Sequence, residues 1–81
     1  MRRVAGTGLV ARVPGRNADG PIVAIRGDID ALPIHEETGV AFASATAGVM
    51  HACGHDVHTT WTIGAAHLLA QQPAVGEVRI L

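Results

Sequence analysis

Aliphatic runs and turn formers alternate through the first third of the chain. Gly8-Leu9-Val10-Ala11-Arg12-Val13-Pro14 has the β-branched and aliphatic residues of a strand and ends on a proline. Gly15-Arg16-Asn17-Ala18-Asp19-Gly20-Pro21 is polar and glycine-rich, a dense turn signal. Ile22-Val23-Ala24-Ile25-Arg26-Gly27-Asp28 follows as a second strand, its near-continuous apolar run predicting burial on both faces. The connection is short, so the two strands (about 8–14 and 22–28) are expected to pair as an antiparallel β-hairpin.

From Ala31 to Met50 no period emerges, and Pro33, Gly39 and Gly48 interrupt a run of small residues. About 20 residues without regular structure is unusual in a compact domain unless the segment has a task. Periodicity returns at Asp56–Gln72. Trp61, Ala65, Leu68 and Leu69 form an apolar stripe at i, i+4, i+7 and i+8, with Gln72 at i+11, which predicts a helix. Asp56 or Thr59 stands where it could cap the start, and Pro73 stops the end. Val75–Leu81 opens a third strand (about 77–81), completing a β-α-β step. The pattern as a whole predicts an α/β fold, in which ligands gather at the carboxyl ends of the strands.

Composition narrows the function classes. The 81 residues are 48% hydrophobic, too apolar for disorder, yet so few residues make only a marginal core. The net charge is −1 and every basic residue is an arginine, so no electrostatic footprint for nucleic acid or an anionic membrane is present. No apolar run approaches the roughly 20 residues that cross a bilayer. Met1-Arg2-Arg3-Val4-Ala5-Gly6 leads into no apolar signal segment. The single cysteine excludes an internal disulfide framework, and a reducing, cytoplasmic setting is expected.

The candidate chemistry is concentrated in His51-Ala52-Cys53-Gly54-His55-Asp56-Val57-His58-Thr59-Thr60. A thiolate and several imidazoles around one glycine suit a transition metal. Cys53 and His55, two residues apart in extended chain, can converge on one ion, and a helix amino terminus favours the thiolate. Asp56 could cap the helix or support a ligating imidazole. His51 and His55 have the i, i+4 spacing of a zincin helix, but Gly54 intervenes and no glutamate follows His51, so that motif is rejected. Asp28-Ile29-Asp30, at the end of the second strand, sets two carboxylates on one side of an extended chain. They could bind a metal, orient a histidine, pair with arginine or simply cap a turn. His58 reads as helix-start structure or support for a ligand, and His35, Glu37 and His67 as solvated or half-buried positions.

Taken in order, Arg26-Gly27-Asp28-Ile29-Asp30-Ala31-Leu32-Pro33-Ile34, Glu36, Gly48-Val49-Met50-His51-Ala52-Cys53-Gly54-His55-Asp56-Val57-His58-Thr59 and Gly64-Ala65-Ala66 resemble the M20 metallopeptidase family. The branch they resemble is that of the amidohydrolases acting on N-acyl amino acids, hippurate and indole-acetyl amino-acid conjugates. The resemblance runs from about Val4 to Leu81, and the Met-His-Ala-Cys-Gly-His-Asp string is its most specific part. Gly27 and Ile29 stand where alanine and methionine are common.

The resemblance implies part of a zinc-peptidase-like three-layer catalytic domain over residues 1–81. It maps two ligands of a binuclear centre onto Cys53 and His55. Asp28 matches an aspartate that supports a ligand, and Asp30, His51, Asp56 and His58 are further candidates for that supporting role. It implies two divalent ions (Mn, Zn, Co or Ni), a small-molecule N-acyl amino acid as substrate and cleavage of its amide by metal-activated water. No nucleic-acid or membrane partner is implied. In the family a glutamate pair with the general base, later histidine ligands and a lid domain that mediates homodimerisation lie outside a stretch such as this one. A binuclear centre needs about four to five protein ligands, which predicts weak metal binding and no catalysis by these 81 residues alone. Two other readings are a hydrolase using Cys53 as nucleophile with His51, His55 or His58 as base, and a non-catalytic remnant of the fold.

Overall fold

The computed structural model describes every residue from Met1 to Leu81. Four strands and one helix follow in the order β1 (Arg2–Val4), β2 (Gly8–Val13), β3 (Val23–Ile25), α1 (His55–Gln71) and β4 (Val78–Ile80). They form a four-stranded mixed sheet, β1-β2-β4-β3, with the helix packed against it, so the chain is α/β as expected.

The pairing of strands differs from expectation. β2 and β3 do not form a hairpin, because β4 lies between them, antiparallel to β2 and parallel to β3. The Pro14–Ile22 connection is what separates them. Arg16 N–H donates to the Ala74 carbonyl and Asn17 N–H to that of Val75, each at 2.8 Å, so the turn cluster docks on the segment leading into β4. The backbones approach so closely that a Cβ on Gly15 would overlap the Gly76 carbonyl, and one on Gly76 the Pro21 carbonyl. The β3-α1-β4 unit is the expected β-α-β step, its register running Val23↔Val78 to Ile25↔Ile80. The hairpin of this fold is instead β1–β2, which no pattern in the sequence announced. Its turn places Ala5 (φ 48°) and Gly6 (φ 78°) in the left-handed region, which suits the twist of paired strands.

The helix starts and stops within one residue of expectation. Neither Asp56 nor Thr59 caps it, however. Gly54 is the N-cap, at φ 91°, with no side-chain hydrogen bond. The face turned to the sheet is also rotated from the expected stripe. Thr62 is buried and Thr59, Ala65, Ala66 and Leu69 are half-buried, whereas Trp61 and Leu68 are 69% and 63% exposed. Threonine can line this seam because its hydroxyl is satisfied locally: Thr62 Oγ1 donates to the His58 carbonyl at 2.7 Å. Small residues then let the helix approach the backbone just past β3, where a Cβ on Gly27 would lie 2.8 Å from Thr62 Oγ1.

Only Thr62, Gly76 and Val78 are buried, so β3 is not covered on both faces, and Ile22 and Val23 stay exposed. The radius of gyration is 15.7 Å, against about 12 Å for a compact chain of this length.

Across β2 and β4, Arg12 stands directly opposite Arg79, a repulsive placement. Glu77 relieves it by accepting from Arg12 Nε at 2.7 Å and Arg79 Nε at 2.8 Å. Those hydrogen bonds, Arg12's first, hold the Glu77 carboxyl down to about 2 from an ordinary 4.5. A depressed folded-state pKa contributes stability above the ordinary value, and that contribution is lost as pH falls through the folded value. In Arg12→Ala the Glu77 midpoint, followed by carboxyl NMR titration, is expected to rise toward 4.5. An unmoved midpoint would refute this pairing.

Candidate metal centre

β3 and β4 run on as a ladder past their last regular residues, with Leu81 N–H donating to Ile25 and Gly27 N–H to Leu81, each at 2.9 Å. Asp28 and Asp30 therefore emerge at the carboxyl end of a parallel pair, the usual ligand position of such sheets. α1 begins beside them. Thr59, in its second turn, donates its hydroxyl to the Asp28 main-chain carbonyl at 2.7 Å and fixes the helix against that loop. Thr59 acts here as a link between helix and strand, in place of the expected cap. Its i, i+3 spacing with the seam residue Thr62 was the available signal.

Asp28, His55 and His58 each offer one ligand atom, and those atoms lie within 4.8 Å of one another. His55 is gripped on both sides, with Nδ1 2.8 Å from Asp30 Oδ1 and Nε2 3.6 Å from Asp28 Oδ2. His58 Nδ1 lies 3.0 Å from Asp28 Oδ1. The hydrogen bond from His58 holds the Asp28 carboxyl below its ordinary range despite partial burial. The charges of His55, His58 and Arg26 act in the same direction.

The donor chemistry fits a cation. Where Nδ1 of His55 donates to Asp30, Nε2 is left facing an Asp28 carboxylate oxygen 3.6 Å away. Two acceptors facing each other need a proton or a positive ion between them.

Of the other candidates, Cys53 is exposed and is not among the three converging donors. His51 is exposed and precedes the helix, in keeping with the rejected zincin spacing. Asp56 is exposed in the first helical turn, where its carbonyl accepts from Thr60 Oγ1 at 2.8 Å. Glu36, to which the sequence assigns no role, organises the long loop. Oε1 accepts from Thr38 Oγ1 and Oε2 from the Ser44 N–H, each at 2.6 Å.

Carboxylates and imidazoles meeting at the carboxyl end of a parallel strand pair define the class: an α/β protein with a site suited to a divalent cation. Sequence comparison gives the family. The profile of "Peptidase family M20/M25/M40" matches residues 24–81, and the chain belongs to this family.

Among its relatives, an N-acetylcysteine deacetylase of Bacillus subtilis is 56% identical over 77 residues, covering 93% of this chain and 20% of that protein. An N-acyl-L-amino acid amidohydrolase of Geobacillus stearothermophilus is 47% identical over 83 residues, covering 100% of this chain and 22% of that protein. The crystal structure of the Bacillus subtilis YXEP protein, described as a dinuclear metal binding peptidase from the M20 family, superposes with a TM-score of 0.84 at 55% identity. That match covers 91% of this chain and 21% of that one. The chain thus spans about a fifth of the length of these relatives.

Proposed function

We propose that this chain carries part of the metal centre of a hydrolase that cleaves the amide bond of N-acyl amino acids. The observation that carries the reading is the convergence of Asp28, His55 and His58 at the carboxyl end of β3. Names of relatives such as N-acetylcysteine deacetylase and N-acyl-L-amino acid amidohydrolase support the substrate class. A dinuclear relative supports a pair of divalent ions, drawn from Mn, Zn, Co or Ni.

In this reading His55 is a central ligand and Asp30 fixes its ring through Nδ1. Asp28 and His58 flank the same position, and Cys53, across Gly54, adds a thiolate donor. Bound ions would supply an activated water and stabilise charge developing on the amide oxygen. The chain's own residues hold the donors in place: Thr59 anchors the Asp28 loop to α1, and Asp28 keeps His58 oriented. Residues 1–81 would be part of the catalytic domain, completed by donors and a base in the four fifths of the relatives' length that the chain does not span. The substrate partner is a small molecule, and any homodimer would form through that further part. No helix is long and apolar enough to cross a membrane, and a reducing cytoplasmic setting accords with the free, exposed Cys53.

The cysteine-nucleophile reading is less favoured by geometry. His55 and His58 are engaged by Asp30 and Asp28, and no imidazole hydrogen-bonds the Cys53 thiol. The test uses the protein as its gene encodes it, with release of the free amino acid as readout. Chelator is expected to abolish hydrolysis, and Mn²⁺, Zn²⁺, Co²⁺ or Ni²⁺ to restore it. Activity indifferent to chelator but lost to iodoacetamide would point to Cys53 as nucleophile.

A further inference from the structure

The two halves of the site are joined by the Pro33–Val49 segment, which contains no helix or strand. Its ends are held by one antiparallel bridge, in which Leu32 N–H donates to Met50 at 2.8 Å and Met50 N–H to Leu32 at 3.0 Å. Asp30 lies just before that bridge and His51 just after it. The loop therefore leaves the aspartate side of the site and returns on the cysteine–histidine side.

Packing does not hold this loop. Ile34, Val40 and Val49 are exposed, and Phe42 is 85% exposed. Polar contacts do, and they centre on the half-buried Glu36, whose carboxylate takes Thr38 Oγ1 on the outgoing limb and the Ser44 N–H on the return limb. Ser44 Oγ then donates to the Thr46 carbonyl at 3.1 Å and accepts from the Thr46 N–H at 3.2 Å, carrying the tie toward Met50. Hydrogen bonds from Thr38, then Ser44, hold the Glu36 carboxyl below its ordinary range, against the nearby negative charge of Asp56.

We propose that Glu36 is a positioning residue: by clamping both limbs of the Pro33–Val49 loop, it holds the Asp28–Asp30 and His51–His58 segments in their mutual register. The inference rests on the metal-site reading for its functional consequence, while its structural content stands on the clamp itself. Without the carboxylate the Leu32–Met50 bridge is the one remaining tie between the two limbs, beside local turns such as Val40–Ala43 and Thr46–Val49 that do not cross from limb to limb. The two segments then rest on that bridge, the Thr59–Asp28 tie and the aspartate–histidine contacts of the site itself, and ligand geometry loosens.

The experiment uses the protein as its gene encodes it, with two readouts: ¹⁵N imidazole NMR of labelled histidines, and Zn²⁺ affinity by calorimetry. Glu36→Ala is expected to disturb the His55 and His58 resonances and to weaken Zn²⁺ binding about 10-fold, the lower end for lost ligand support. Glu36→Gln keeps an oxygen for the Ser44 N–H and should bring both readouts most of the way back. If Glu36→Ala fails to fold, Thr38→Val, which removes one of the two bonds, takes its place with a smaller shift of the same kind. Histidine resonances unchanged in a folded Glu36→Ala or Thr38→Val protein would overturn the proposal, as would Glu36→Gln being as defective as Glu36→Ala. A wild-type protein that takes up no Zn²⁺ overturns the metal-site reading instead, and the histidine spectra then still decide whether Glu36 holds the register.

Discussion

Asp28→Asn is expected to lower divalent-metal affinity by about 10- to 100-fold, with His55→Ala losing at least as much. The reason lies in what Asp28 joins. One carboxylate faces Nε2 of His55 and accepts from Nδ1 of His58, so a single side chain orders two imidazoles. An amide of the same shape keeps an acceptor oxygen but loses the negative charge. It also turns an N–H group toward one of the rings, which removes the attraction for a cation and disturbs both hydrogen bonds. Calorimetric titration of Zn²⁺ into wild-type and variant protein is the measurement, with Cys53→Ser in parallel. A large loss in Cys53→Ser with none in Asp28→Asn would place the ion on Cys53 and His55 alone. Asp28, His55 and His58 would then be an ion-pair cluster that only braces the helix. Equal indifference in all variants would remove the metal reading altogether.

What could be read from the sequence followed the range of the interactions. The helix was legible because its period and its proline stop are local, and its observed ends, His55 and Gln71, fall one residue from those expected. The face it buries was not, because Trp61 and Leu68 outweigh Thr59 and Thr62 in any apolar count. Yet hydroxyls that bond back into the helix or to Asp28 are the ones that fit against the sheet. The β-α-β step was legible, and the partner of β2 was not. Strand order depends on where Gly15 and Gly76 let two backbones touch, across a long separation in sequence.

The site divides in the same way. The cysteine–histidine string and the Asp-x-Asp turn were each visible as local patterns. Which aspartate meets which histidine is set by the docking of α1 against the Gly27–Asp28 segment that follows β3, which pairs Asp28 with His58 and Asp30 with His55. Glu36 stood in the family-like series but carried no sign of a role. Its partners on the two limbs of the loop become visible only once the loop has closed.

Gly76→Ala is expected to be among the most damaging single substitutions in the chain, although it adds one methyl group far from the metal centre. Gly76 is buried between the Pro14–Ile22 connection and the start of β4, and its added Cβ would overlap the main-chain carbonyl of Pro21. A backbone carbonyl cannot rotate away as a side chain can, so the connection has to lift. Lifting it endangers the hydrogen bonds from Arg16 to Ala74, Asn17 to Val75 and Val23 to Glu77, the last at 3.0 Å. Overpacking of this kind costs about 1–3 kcal/mol, and each hydrogen bond lost at these largely exposed positions adds about 0.5–1.5 kcal/mol more. That is a large share of the roughly 5–15 kcal/mol that keeps a domain folded. The loss should appear in denaturant unfolding as a lower midpoint. Gly64→Ala, whose new Cβ would meet nothing within 4 Å, supplies the comparison. Replacing an exposed helical glycine with alanine should instead leave stability unchanged or raise it by up to about 1 kcal/mol. If Gly76→Ala unfolds at the wild-type midpoint, then the turn cluster does not lie tightly against the start of β4, and the separation of β2 from β3 must have another cause.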